Sequence, residues 1–214
     1  MNTGAFVAGQ LRKPAGLFGK VFGVLMNRVN KDLNKFMLEN LQLESVDQVL
    51  EIGFGDGENL IDCAKNDPYS NFSGIEVYPS GIGQCLINAN KYDLKNLRLF
   101  CNDAVDVLNK RIANESLDVI NIFFPDPWPK KRHHKRRLIS EDFIVLIKSK
   151  LKQNGLVHIC TDWADYGHAI NALFESNKEF KLLETFPKRL QTKFEKKGLA
   201  IGHSIYEFAF QLVL

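Results

Sequence analysis

"LEIGFGDGENL" occupies residues 50–60, and its reading decides the fold. An apolar run ends in glycine, Gly53, Gly55 and Gly57 alternate with other residues, and a helix-compatible stretch follows. Strand, glycine turn and helix in that order open a doubly wound α/β sheet, where glycines let the backbone turn sharply and approach a ligand closely. The alternation then repeats. "FSGIEVY" (72–78), "LRLFCND" (97–103), "LDVINIFFPD" (117–126) and "GLVHICTD" (155–162) read as strands two to five. Helices are predicted over 57–66, 80–91, 104–112, 140–151 and 163–177, with Pro68 stopping the first and Ser140 capping the fourth. "FKLLET" (180–185) and "SIYEFAFQLVL" (204–214) close the chain, and the alternation in the last predicts an antiparallel edge or hairpin strand. The expected fold is a Rossmann-like, mostly parallel seven-stranded sheet with helices on both faces and an antiparallel C-terminal strand. It is expected as one domain over 47–214, after a mainly helical lead-in over 1–46 in which Leu33, Phe36, Met37 and Leu41 recur at core-facing helical spacing.

Acids cluster at the carboxyl ends of the first three strands, where doubly wound sheets bind ligands. Glu51 precedes the glycine turn and Asp56 lies inside it. Glu76 follows Gly55 by 21 positions and suits the two hydroxyls of a ribose, as a pure acceptor facing two donors. Asp103 ends the third strand and suits an adenine amino group. A dinucleotide site places its pyrophosphate on a G-x-G-x-x-G turn. Here the spacing is G-x-G-x-G among acids, a poor setting for pyrophosphate and a good one for S-adenosylmethionine, which carries an ammonium, a sulfonium and no phosphate.

Composition narrows the classes. The 214 residues are 45% hydrophobic and 25% charged, as in an ordinary globular domain. No apolar run approaches the roughly 18 residues of a membrane span, and the N-terminus lacks a tidy signal pattern, which predicts a cytoplasmic protein without membrane association. Cys63, Cys85, Cys101 and Cys160 form no CxxC pair and read as reduced and buried, and the five histidines show no metal-ligand spacing, so no metal is expected. Net charge is +3, yet residues 130–137 hold six Lys/Arg, and residues 188–197 hold five more against Glu195 alone. Two cationic runs beside loop-like segments point to a phosphate-rich partner.

The first run belongs to "FPDPWPKKRHHKRR" (124–137). Pro125 and Pro127 restrict the backbone on both sides of Asp126, a device for holding one carboxylate still. Trp128 suits either base stacking or a hydrophobic lid.

Together with "EIGFGDG", "GIEVYPSGIGQCL", "NDAVDVL", "TDW" and "TKFEKKG…GHSIYEF", this stretch resembles the bacterial tRNA (guanine-N7-)-methyltransferase family over residues 48–210. The resemblance implies a class I methyltransferase fold and methyl transfer from S-adenosylmethionine to N7 of a variable-loop guanosine of tRNA, family position 46. Read from the residues themselves, Asp126 at the end of the fourth strand is the candidate catalytic residue, suited to holding the guanine edge and offsetting the positive charge that develops, and Glu51, Gly53, Gly55, Gly57, Glu76, Asp103 and Asp126 are expected at the cofactor. Asp162, ending the fifth strand on the same rim, is expected at the substrate, and the resemblance implies Lys130, Thr192, Lys193, Phe194 and Glu195 there too, the last four on a loop. Arg132, His133, His134, Lys135, Arg136 and Arg137 match the RNA-contacting run. His203 reads as structural. The lead-in is instead similar to generic class I methyltransferases, where it covers the cofactor. The expected state is monomer or homodimer. The alternatives are an enzyme with the same cofactor acting on a small molecule, and a non-catalytic RNA-binding module.

Overall fold

The computed structural model describes residues 47–213; the predicted lead-in and its apolar positions lie outside them. Strand β1 (Gln48–Ile52) pairs in parallel with β2 (Asn71–Glu76) on one side and β4 (Leu117–Phe123) on the other. β2 continues to β3 (Leu97–Cys101), and β4 to β5 (Leu151–Thr161). The chain therefore reverses its direction of travel across the sheet at β1 and β4, which opens a crevice at their carboxyl ends. Helices α1 (Glu58–Asn66), α2 (Pro79–Lys91), α3 (Ala104–Arg111), α4 (Glu141–Lys150) and α5 (Ala164–Glu175) supply the crossovers. The sheet order is β3-β2-β1-β4-β5-β7-β6, where β6 is Phe180–Leu182 and β7 is Tyr206–Leu212.

Central strands read as apolar runs because both faces are covered. Leu50 and Ile52 of β1 turn to one cluster with Ile120, Ile122, Val157 and Ile159, and Val49 turns to the other, beneath α1 and α2. In the first cluster Phe174 stacks on Phe210 at 3.9 Å between centroids, and Phe180 meets Phe174 edge-on at 5.1 Å.

Four sequence expectations change. β7 is antiparallel and pairs with β6, as the hairpin reading expects, but it is not an edge; it lies between β5 and β6, and at this end of the sheet the three-residue β6 faces outward. β5 begins at Leu151, directly after α4, and absorbs the expected turn as an irregularity in which Asn154 has φ 63°. β2 stops at Glu76, leaving Val77 and Tyr78 exposed before Pro79 opens α2. The "TKFE" segment is not a loop: it starts α6 (Lys193–Ala200), with the Thr192 hydroxyl accepting from Glu195 N at 3.1 Å.

At Gly57 the backbone has φ 77°, and an added Cβ would fall 2.5 Å from Cys85 Sγ. Left-handed backbone and overpacking together cost about 2–4 kcal/mol. Gly57→Ala is expected to lower thermal stability by that amount, read as the midpoint shift in a calorimetric scan; an unchanged midpoint contradicts the tight approach of turn and α2.

Candidate active site

The glycine turn is braced by a carboxylate. Glu76 is buried at the end of β2, and its two oxygens accept from Gly55 N and Tyr78 N, each at 2.9 Å. Each oxygen retains a lone pair for a ligand hydroxyl. Gly53, Gly55 and Gly57 all adopt positive φ, which admits the turn with little strain. Asp103 caps α3, accepting from Val105 N and Asp106 N with the same oxygen, which leaves its other oxygen exposed at the rim.

Glu51 is buried at the end of β1 and lines a pocket of about 200 Å³ with Asp56, Phe123, Phe124 and residues 190–194. Burial raises its pKa from 4.5 to about 7, against the lowering effect of a hydrogen bond from Asn59 Nδ2 at 2.7 Å. The oxygen of the same carboxamide accepts from Leu190 N at 3.0 Å. Asn59 thus ties the floor of the pocket to the segment that roofs it. At the rim Lys193 Nζ bridges Asp56 at 2.9 Å and Glu58 at 3.1 Å, and these carboxylates raise its pKa.

Beyond β4 the chain stays locked. Phe124 N donates to Cys160 O at 2.8 Å, and Phe124 and Trp128 take positive φ of 53° and 45°. Non-glycine residues hold such angles only where their surroundings impose them. The fastener is Arg137. Its Nε donates to Pro127 O at 2.9 Å, its Nη2 pairs with Asp165 at 2.5 Å, and its guanidinium lies 4.7 Å from the Tyr166 ring centroid. Tyr166 is wholly buried and its hydroxyl oxygen accepts from Ile139 N at 3.0 Å. Asp126, between the two prolines, is exposed and makes no hydrogen bond or ion pair among the described residues.

The cationic run divides in two. Lys130 precedes the 3₁₀ helix Lys131–Arg136, and Lys130, Lys131, Arg132 and Lys135 are exposed. Arg136 lies 4.9 Å from the Trp128 ring and His133 meets that ring edge-on at 6.0 Å. Trp128 is therefore packed by its own neighbours. His134 sits 3.7 Å from Asp165. Arg137, expected on the RNA, leaves only 8% of its side chain to solvent and serves the fold.

Of the other expected substrate residues, Asp162 lies at the end of β5 and pairs with His203 Nδ1 at 3.0 Å. Phe194 and Lys193 are exposed at the pocket mouth. Glu195 is not available to a substrate: it is buried, and Arg189 Nη1 holds it at 2.5 Å. Cys85 and Cys160 are buried as expected, whereas Cys63 and Cys101 are only partly covered. His158, Cys160 and Glu207 offer ligand atoms within 4.8 Å of one another. Arg189 already places its charge on Glu207 at 3.0 Å, where a cation would otherwise sit. Sequence reasoning missed Asn59, Asp165, Tyr166 and the role of Arg189. Only Glu195, three positions after Thr192, carried a readable signal, that of a helix-capping pair.

The geometry fits a cationic cofactor: a buried acid on the pocket floor, more acids at its rim, and a tight glycine turn beside a braced carboxylate. The fold is that of class I methyltransferases. An S-adenosylmethionine-dependent methyltransferase from Aquifex aeolicus, 14% identical, superposes with a TM-score of 0.52 over 85% of this chain and 89% of the other. A family model described as "Putative methyltransferase" matches residues 45–208. The tRNA (guanine-N(7)-)-methyltransferase of Pseudoalteromonas translucida is 44% identical over 172 residues, 77% of this chain and 71% of the relative. That of Halorhodospira halophila is 38% identical over 218 aligned residues, 99% of this chain and 92% of the relative. The chain belongs to the tRNA (guanine-N7-)-methyltransferase family.

Glu51 makes stability depend on pH. Its folded pKa lies above its unfolded one, so its contribution is complete below about pH 4.5 and is lost as pH rises to about 7. Glu51→Gln keeps an acceptor for Asn59 without the charge. Above pH 7 the variant is expected to be more stable than the parent by roughly 3 kcal/mol, and below pH 4.5 equal to it. Paired denaturant titrations across that range check the crossing; a difference independent of pH contradicts it.

Proposed function

We propose that the protein transfers a methyl group from S-adenosylmethionine to N7 of a guanosine in the variable loop of tRNA. The observation that supports this reading is a juxtaposition: an acid-floored pocket at the strand switch point is lined by Phe124, two residues before the proline-flanked, exposed Asp126, with exposed cations following in the chain. A small-molecule methyltransferase has use for the first feature and none for the last. A purely RNA-binding module has use for the last and none for the first.

S-adenosylmethionine, when bound, supplies a methyl group activated by its sulfonium. Glu51 and Asp56 favour its positive charges, the remaining lone pairs of Glu76 suit the ribose hydroxyls, and the free oxygen of Asp103 suits the adenine amino group. Guanine N7 offers an in-plane lone pair and carries no proton, so transfer needs no base from the protein. The work left to the chain is orientation and charge. Asp126 and Asp162 are acceptors suited to the N1–H and N2–H donors of guanine, and their negative charge favours the cationic base that forms. Exposed Lys130, Lys131, Arg132 and Lys135 favour phosphate, a contact that needs cations more than geometry.

Incubation of an unmodified tRNA transcript with methyl-labelled cofactor, followed by nuclease mapping, is expected to place label at N7 of one variable-loop guanosine. Label at another atom, or none with cofactor binding intact, contradicts the reading. Asp126→Ala is expected to reduce kcat about 100-fold, the usual scale for a preorganised electrostatic group, with cofactor affinity changed far less.

Cations within the run are expected to behave differently. Lys135→Ala should reduce the slope of log tRNA affinity against log salt by about 1 while leaving stability unchanged. Arg137→Ala should lower thermal stability instead. Equal salt slopes for Lys135→Ala and the parent contradict the division.

A further inference from the structure

Arg189 lies in the second cationic run, yet its side chain is only 8% exposed. It joins two carboxylates from different elements. Its Nε and Nη2 donate to the two oxygens of Glu207 on β7, each at 3.0 Å. Its Nη1 and Nη2 donate to the two oxygens of Glu195 on α6, at 2.5 and 3.3 Å. Nη1 also reaches Leu190 O at 3.2 Å, and the guanidinium lies 5.4 Å from the Phe123 ring centroid, on the pocket wall. His158 Nε2 completes the cluster at 2.7 Å from Glu207. Burial alone works against the charge on Arg189, but these bonds more than offset it and its pKa is raised. Glu207 in turn is held below the usual carboxylate range despite its own desolvation.

Such a fork has a consequence for the site. Residues 190–194 roof the pocket, and Arg189 and Glu195 flank them on either side. Both ends of the roof are therefore gripped by one guanidinium, which is itself fixed to the sheet through Glu207. Its first residue is also held by Asn59, through Leu190 N at 3.0 Å. Building on the proposed function, we propose that Arg189 is a positioning residue for methyl transfer: it clamps the 190–194 strap to the sheet so that Thr192, Lys193 and Phe194 stand over the methyl-transfer pocket. It touches neither substrate nor phosphate. Bidentate pairing to two carboxylates at once needs the planar five-donor fork of arginine, which lysine cannot reproduce.

The test compares Arg189→Lys with the parent in three measurements: tRNA methylation kinetics, the salt slope of tRNA binding, and amide hydrogen exchange across residues 190–195 in the free protein. The clamp predicts exchange there faster by about tenfold, kcat lower by about 10- to 100-fold, and an unchanged salt slope. Equal kcat per folded molecule, with only the midpoint of unfolding lowered, assigns Arg189 to stability alone and overturns the proposal. A salt slope reduced by about 1 makes it a phosphate ligand and also overturns it. Should Arg189→Lys fail to fold, Glu195→Gln opens the α6 half of the clamp and leaves the β7 half, and the same three readings apply. Hydrogen exchange involves no RNA, so it judges the clamp even if the parent protein proves to methylate another substrate; that result would remove the proposed function and leave this test standing.

Discussion

The site depends on one buried carboxylate and the amide that holds it. Glu51 ends the central strand at the switch point of the sheet, out of reach of bulk solvent, with Asn59 as its hydrogen-bond partner. A lone buried acid is costly when ionised, which its raised pKa expresses. A cationic ligand in the pocket would stabilise the ionised form. Because the oxygen of the Asn59 amide holds Leu190 N, the same side chain also fixes the roof of the pocket. Floor and roof are consequently one hydrogen-bonded unit, although Asn59 and Leu190 lie 131 positions apart.

A second theme is the use of cations as fasteners. Arg137 and Arg189 lie in the two basic runs, yet each is turned inward onto a carboxylate and a backbone carbonyl. The first immobilises the loop that carries Asp126, and the second the strap opposite. The lysines around them remain at the surface. Holding a loop still and presenting charge to solvent are different tasks, and the chain assigns them to neighbouring residues in the same stretch.

Much of this was legible. Apolar runs separated by glycine or proline turns located every described parallel strand, because strands covered on both faces cannot hide their composition. The acids at strand ends were legible for the same reason, since strand position fixes which residue meets the crevice. The inward role of Arg137 was not, because in a run of six cations nothing local distinguishes the one whose partner, Asp165, lies 28 residues on. Glu207 is similarly 18 residues from Arg189. The alternation in β7 announced an antiparallel strand but not its place between β5 and β6, which depends on how the chain crosses the sheet. The start of α6 was signalled by Thr192 and Glu195 and obscured by the lysines around them.

The most direct test of a cationic cofactor seated over Glu51 is calorimetric titration of the protein with S-adenosylmethionine at about pH 6, repeated in buffers of different ionisation enthalpy. The account predicts release of up to one proton per cofactor bound, as Glu51 gives up the proton it holds below about pH 7, and an affinity that rises with pH until that point. Binding with no proton release, and with equal affinity at about pH 6 and about pH 7.5, would contradict it.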